Sequence, residues 1–349
     1  MVARLRSLMA SVALILALGV VPTVHGQGTP AAGEPGPGTC IPAAGIPAKD
    51  RYLIGMSQAN KGEPWRQAMN DQIAAAAHPN LEVVFADAAQ NNAKQVADVE
   101  NFLSQGIDLL IISPNEAAPL TDVVAEACAQ NVPVIVLDCK VNCDQFTMFI
   151  GTDNVEIGRR AGAYAAIHCA DNGFAPCNVL EIRGLEGSTP AKEHGDGFRE
   201  GIAANPEVEI IASQNADWLR EKAIPVSQAM FQANPDVNVV NTHNDPMTEA
   251  AIISAQNAGL NLDEVLFIGI DALPTPDGGI RSVIEGRIDV TYVYPTGGAK
   301  VIDYATRILT GGGEPPASVI LETEEVTADN AQAVYDRFTG AAPAATPAA

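Results

Sequence analysis

The sequence predicts an α/β protein of two doubly wound, parallel-sheet lobes joined by a hinge. Three observations carry that expectation. From Arg51 onward, short apolar runs alternate with amphipathic helical stretches across brief links. Such strand-helix-strand repetition builds parallel sheets with right-handed crossovers. Runs such as "IDLLIISP" and "VPVIVLD" are apolar throughout instead of alternating, which marks strands covered on both faces. About ten such strands in roughly 290 residues suit two lobes better than one sheet.

The elements follow in chain order. Residues 1–26 join a basic start, "MVARLR", to an apolar run and the small-residue site "VHG" before Gln27. That layout is a secretory signal peptide, to be set aside in fold reasoning. Residues 27–50 are rich in Pro, Gly and Ala, lack an apolar period and read as a flexible linker. "RYLIGMS" is a strand, and a helix starts near Trp65. "LEVVFAD" is the next strand, and "NAKQVADVENFLSQG" is a helix with Val96, Val99, Phe102 and Leu103 as its apolar residues. "IDLLIISP", the helix "PLTDVVAEACAQ", then "VPVIVLD" and "FTMFIGT" complete the first half. The rhythm resumes from "CNVLEIRG" to "GGIRSVIEG". Residues 340–349, "GAAPAATPAA", read as a disordered tail.

The chain carries 42 acidic against 20 basic residues, a net charge of −22. That balance argues against a nucleic-acid partner, which requires clustered Lys and Arg. Six cysteines in an exported chain permit disulfides. Cys169 and Cys177 bracket a short loop and are the first expected pair. Cys139 and Cys143 come next, leaving Cys40 and Cys128 over. No CxxC or HxxxH spacing points to zinc, and no metal or cofactor is expected. Nor do the residues before Cys40 suggest a lipid anchor.

In open parallel sheets, ligands bind outside the carboxyl ends of the strands. The residues there are Trp65 and Arg66, then Asp138, Lys192 and His194. Asp217 and Trp218, Asn244 and Asp245, Asp271, and Tyr292 and Tyr294 follow. Carboxylates, amides and aromatic rings suit a neutral polyhydroxylated ligand. Its C–H faces stack on rings and its hydroxyls need fixed partners. The chain has only two tryptophans, Trp65 and Trp218, one per half and each at a strand end. They could sandwich a sugar ring, or each could be core to its own lobe. Asp138 and Asp271 could equally cap the elements that follow them. Asn244 reads as a ligand residue and Asp245 as the helix cap before Pro246. Asp153 reads as a cap. His194 is open between ligand and structural roles, while His78, His168 and His243 show no ligand spacing.

These motifs, with "IGTDNVEIGRRAG", "GFREGI", "NTHNDPMTEAAI", "FIGIDALP" and "VYPTGG", resemble in order and spacing the type I periplasmic sugar-binding proteins. The resemblance is to the ribose- and galactofuranose-binding group of ABC-importer receptors, over nearly all of residues 51–338. It implies that Trp65 and Trp218 stack on a sugar, and that Asp138, Asn244 and Asp271 bind hydroxyls. Tyr294 falls where the family commonly has a polar ligand residue. Two departures stand out: Cys139 follows Asp138 where ribose-type receptors have Arg, and His194 precedes Phe198 where they place another. Losing two guanidinium forks removes fixed donors, for which Arg66, Lys140 or Lys192 compensate in part.

The expected lobes are 51–152 plus 294–317, and 153–293 plus 318–339. The function implied is non-catalytic: a monomeric exported receptor closes on a neutral monosaccharide or sugar alcohol and docks on an ABC permease. A sensor handing a sugar or furanose signal to a membrane receptor kinase would use the same pocket. A hydrolase using Asp138 and Asp271 has the resemblance against it.

Overall fold

The computed structural model describes residue 40 and residues 45–340; the expected signal peptide and most of the expected linker and tail lie outside the described residues. In chain order the elements are β1 (Tyr52–Gln58), α1 (Pro64–Ala76), β2 (Leu81–Asp87), α2 (Asn92–Ser104), β3 (Leu109–Ser113), α3 (Ala117–Ala129), β4 (Val134–Leu137) and β5 (Met148–Thr152). They continue with α4 (Asn154–Asn172), β6 (Cys177–Arg183), α5 (Thr189–Ile202), β7 (Val208–Asn215), α6 (Arg220–Ala233), β8 (Val239–Thr242), α7 (Asp245–Asn257) and β9 (Leu266–Ile268). The last are α8 (Gly279–Ile284), β10 (Val290–Tyr292), α9 (Gly298–Thr310), β11 (Ser318–Leu321), β12 (Glu325–Thr327) and α10 (Ala331–Thr339).

Two six-stranded sheets result, ordered β11-β5-β4-β3-β1-β2 and β12-β10-β9-β8-β6-β7. All their ladders are parallel except β10 with β12. β1 lies between β2 and β3, and β6 between β7 and β8, so each sheet reverses its strand order at one point. Crevices form at such switch points. The apolar runs behave as expected: β3, β4 and β5 are buried at every position.

The chain leaves the first sheet after β5, where the Asp153 side chain caps α4 by accepting from the Glu156 N–H, as its place in the sequence suggested. It returns after β10 into α9, which packs on α1. It crosses again at residues 322–324, between β11 and β12. That corrects the expected third crossing at Ala317, because β11 pairs with β5, Ser318 opposite Phe149 through Leu321 opposite Thr152. β11 is an edge strand with alternating exposure, so its sequence lacks the doubly covered signature of its neighbours.

Cys169–Cys177 forms as expected, but Cys40 pairs with Cys128, and Cys139 and Cys143 remain free thiols. Cys40 is buried, and its carbonyl accepts from Thr147 Oγ1, so this part of the linker is held against the first lobe.

Candidate functional site

The first lobe offers the start of α1 and the end of β4. Pro64 at the opening of α1 is preset for a helix start, and it places Trp65 and Arg66 on the turn facing the second lobe. Trp65 belongs to the core, at 5% exposure, and its Nε1–H donates to the Tyr294 carbonyl at 2.7 Å. Arg66 is also buried. Its Nη1 donates to Gln58 and Ser113, while Nη2 lies 3.5 Å from Asp138 Oδ2. Cys139 lies beside this pair, 3.9 Å from Arg66. Arg66 therefore occupies the neighbourhood where a second guanidinium was missed at position 139. Lys192 instead pairs with Asp196 at the surface, and Lys140 with Glu193.

The second lobe supplies Trp218 after β7, His243 and Asn244 after β8, Asp271 after β9 and His194 from α5, and Tyr294 follows β10 at the crossing back to the first lobe. Asp138 (φ 70°), Trp218 (φ 69°) and Asp271 (φ 130°) all sit in the left-handed region. Such backbone costs about 1–3 kcal/mol per residue and clusters at functional sites. Trp218 can lie flat over the second lobe because Gly184 has no side chain. A Cβ there would come within 2.2 Å of the indole.

Eight of the strand-end residues named from the sequence, Trp65, Arg66, Asp138, His194, Trp218, Asn244, Asp271 and Tyr294, line this one cleft, while Lys192, Asp217, Asp245 and Tyr292 do not. The tryptophans are linked through two other rings. Tyr294 lies 5.1 Å from Trp65, His194 lies 5.8 Å from Tyr294, and Trp218 lies 6.2 Å from His194. The Tyr294 hydroxyl donates to Asp138 at 2.7 Å and lies 2.9 Å from Asn154 Oδ1. The Asn154 amide nitrogen donates to Glu193, which turns Oδ1 toward Tyr294 and His194. His194 Nε2, 3.2 Å from that oxygen, then carries its proton, leaving Nδ1 as an acceptor without a partner among the described residues. Trp218 Nε1 and Asp271 Oδ2 are likewise buried and without a partner among the described residues, while Arg66 Nε lies 3.5 Å from Glu63 Oε1.

Burial raises the pKa of Asp138, against the lowering effect of Arg66. It raises Asp271 well above the carboxylate range, helped by the nearby Asp245 charge. Glu63, beside Arg66, is raised for the same first reason. Burial and the adjacent His243 hold His194 well below the usual histidine range, so it is neutral.

Two capping expectations change places. Asn244, not Asp245, caps α7, accepting from the Met247 N–H while its amide donates to the Trp218 carbonyl. Asp245 points inward, accepting from the Ala272 N–H and from Thr291. Asn244 thus both caps a helix and lines the cleft. His243 also lines the cleft, although no spacing marked it. Its position immediately after β8 was the available signal. Glu63 and Asn154 were missed as well, the first inside the "GEP" turn and the second at the lobe crossing.

A family model described as a periplasmic binding protein domain matches residues 54–313. The chain belongs to this family. Over 272 residues it is 31% identical to the ribose import binding protein of Escherichia coli K12, covering 77% of this chain and 88% of that one. It is 30% identical over 229 residues to the galactofuranose-binding protein of the same organism, covering 63% and 71%. Among solved structures, the fructose binding periplasmic domain of a hybrid two component system aligns with a TM-score of 0.78 and 37% identity, over 83% of this chain and 95% of that one. A Mycobacterium smegmatis protein in complex with beta-D-fucofuranose aligns with the same TM-score at 29% identity and the same coverages. The type I binding-protein fold and the family read from the strand-end motifs therefore stand. Family membership implies an extracytoplasmic location.

Proposed function

We propose that this protein is an extracytoplasmic receptor that captures a neutral monosaccharide or sugar alcohol between its lobes and delivers it to an ABC importer. The observation that carries the reading is the cleft itself. Two lobes converge rings, carboxylates and amides on one space, and three buried polar atoms there, His194 Nδ1, Trp218 Nε1 and Asp271 Oδ2, lack partners among the described residues. Burying such groups unpaired costs about 1–3 kcal/mol each. Ligand hydroxyls, which both donate and accept, are the groups that would satisfy all three together.

The cleft measures about 30 Å³, room for little more than water. A sugar ring therefore enters by parting the lobes, and its contacts to both would favour reclosure. Trp65 and Trp218 would supply the stacking faces. Asp138, Asn244, Asp271 and His194 would engage hydroxyls, while Arg66 and Tyr294 hold Asp138 in place. No role here calls for catalysis, and monomeric action needs no second copy. The chain would act in the periplasm or at the outer face of the cytoplasmic membrane.

A second reading is a sensor domain that presents its sugar to a membrane receptor kinase. The 37% identity to a binding domain of a hybrid two component system favours keeping it.

The test is a thermal-shift and calorimetric screen of the chain lacking residues 1–26 against pentoses, hexoses and polyols. A ligand at 100 times its dissociation constant adds about 2.7 kcal/mol of stability. The expected hit disappears in Trp65→Ala and in Trp218→Ala. If no sugar or polyol stabilises the protein, the proposal fails.

A further inference from the structure

Direct hydrogen bonds cross between the lobes beside the cleft, through residues that do not line it. The Ala117 N–H, at the start of α3 in the first lobe, donates to the Gly187 carbonyl in the second at 3.0 Å. The Lys140 N–H donates to Thr189 Oγ1 at 2.9 Å, and its ammonium pairs with Glu193 at 3.0 Å. Gln90 Nε2 donates to the Asp217 carbonyl at 3.0 Å. Lys140, Thr189 and Asp217 each adjoin a lining residue in sequence, Cys139, Pro190 and Trp218.

The fit at these points is close. Glu116, the N-cap of α3, gives that helix no side-chain cap, so the second lobe's carbonyl takes one of its free N–H groups. The Glu116 carboxylate, held by Asn92 Nδ2 at 2.6 Å, lies over Gly187 and leaves no space for a Cβ there. Gln90 and Asp217 both hold left-handed backbone, φ 59° and 53°, which residues other than glycine seldom adopt.

The lobes are therefore shut, and the cleft between them has space for a water but not for a sugar ring with its hydroxyls. Turning side chains away to make room would cost Tyr294 its bonds to Asp138 and Asn154. Standing the lobes farther apart would break the crossing bonds instead, since at 2.9–3.0 Å to backbone groups they have no slack.

Resting on the receptor reading above, we infer that these contacts form a latch that holds the empty receptor shut and that a bound sugar displaces. The lobes reclose on a ring only partway, short of the latch. Only the unlatched fraction then binds, and the apparent dissociation constant is the intrinsic one divided by that fraction. Gln90, Gly187 and Thr189 thus set the affinity from outside the cleft.

The experiment compares the chain lacking residues 1–26 with two variants of it, Gln90→Gly/Thr189→Val and, separately, Gly187→Ala. Glycine at position 90 keeps the left-handed backbone without strain. Small-angle X-ray scattering is recorded on the empty proteins, and ribose, fructose, galactose and xylitol are titrated by calorimetry. Empty, both variants should show a larger radius of gyration than the unaltered chain. Both should bind at least one of the four ligands more tightly, the double variant by about tenfold, since one neutral hydrogen bond shifts an equilibrium about fivefold. That ligand should contract the variants but not the unaltered chain. Equal radii for all three empty proteins would overturn the inference. So would unchanged or weaker binding by the variants, which would make the contacts neutral or part of the liganded form. The receptor reading survives either result. If none of the three proteins binds any of the four ligands, that reading falls and the inference with it.

Discussion

The Tyr294 hydroxyl donates a 2.7 Å hydrogen bond to Asp138 Oδ1, so a residue at the second lobe crossing is tied to the end of β4 in the first lobe. Tyr294 also takes the Trp65 indole N–H on its carbonyl. One residue therefore anchors the lobe crossing to both first-lobe strand ends that form the cleft.

Removing that hydroxyl strands a buried carboxylate oxygen. Tyr294→Phe should cost about 1–3 kcal/mol of stability, a fall of a few degrees in the melting temperature by scanning calorimetry. Sugar affinity should fall as well, because Asp138 loses one of the groups that orient it. An unchanged melting temperature would mean that Asp138 does not depend on this bond.

Stability should fall as pH rises above neutrality. Burial raises the folded pKa of Asp245 to about 7 and that of Asp271 well above the carboxylate range. A raised folded pKa gives stability that is present below the unfolded value and lost as pH climbs through the folded one. The buried His194 and His243 work the other way, each held below its usual range, but they stop contributing once pH passes about 6.5. From about pH 6.5 to 8 the raised carboxylates act alone, so denaturant midpoints should decline over that range. Asp271→Asn should flatten the decline. A flat wild-type profile would contradict the buried acids.

Gly184 should tolerate nothing larger. A Cβ at this position would sit 2.2 Å from the Trp218 ring, so Gly184→Ala must displace the indole. The expected result is about a tenfold loss of sugar affinity with far-UV dichroism unchanged. Full affinity in this variant would show that Trp218 is not part of the binding surface.

The cysteines separate by both reactivity and energetics. Cys139 is buried and Cys143 half-buried, so one thiol should react with a bulky maleimide in the native protein and two after unfolding. The Cys40–Cys128 bridge spans 88 residues and Cys169–Cys177 spans 8. By loop entropy the first is worth about 4–5 kcal/mol and the second about 2.5. Cys40→Ser/Cys128→Ser should thus melt lower than Cys169→Ser/Cys177→Ser in chemical denaturation.

Much of this arrangement is legible in the sequence, for identifiable physical reasons. Strands covered on both faces announce themselves, as "LLIIS" and "VIVL" do, and the strand-end rule then gathers residues scattered from Trp65 to Tyr294 into one cleft. What escaped the reading depends on three-dimensional partners. β11 lies at a half-exposed edge, so "SVIL" carries no sign of which sheet it joins. Cys40 lies among prolines and glycines that suggest slack chain, yet packs beneath α3 once folded. Asn244 and Asp245 are adjacent residues of similar chemistry at a helix start, and only the inward pull of Ala272 and Thr291 decides which one caps.

The Cys40–Cys128 bridge has a mechanical consequence. It rivets Cys40 to the first lobe, while helix α10 packs against α8 in the second. Cys40 and α10 thus ride on opposite halves of the hinge. A donor dye placed just before Cys40 and an acceptor placed after Thr339 would form a strain gauge read directly as energy transfer, reporting each opening and closing without touching the cleft.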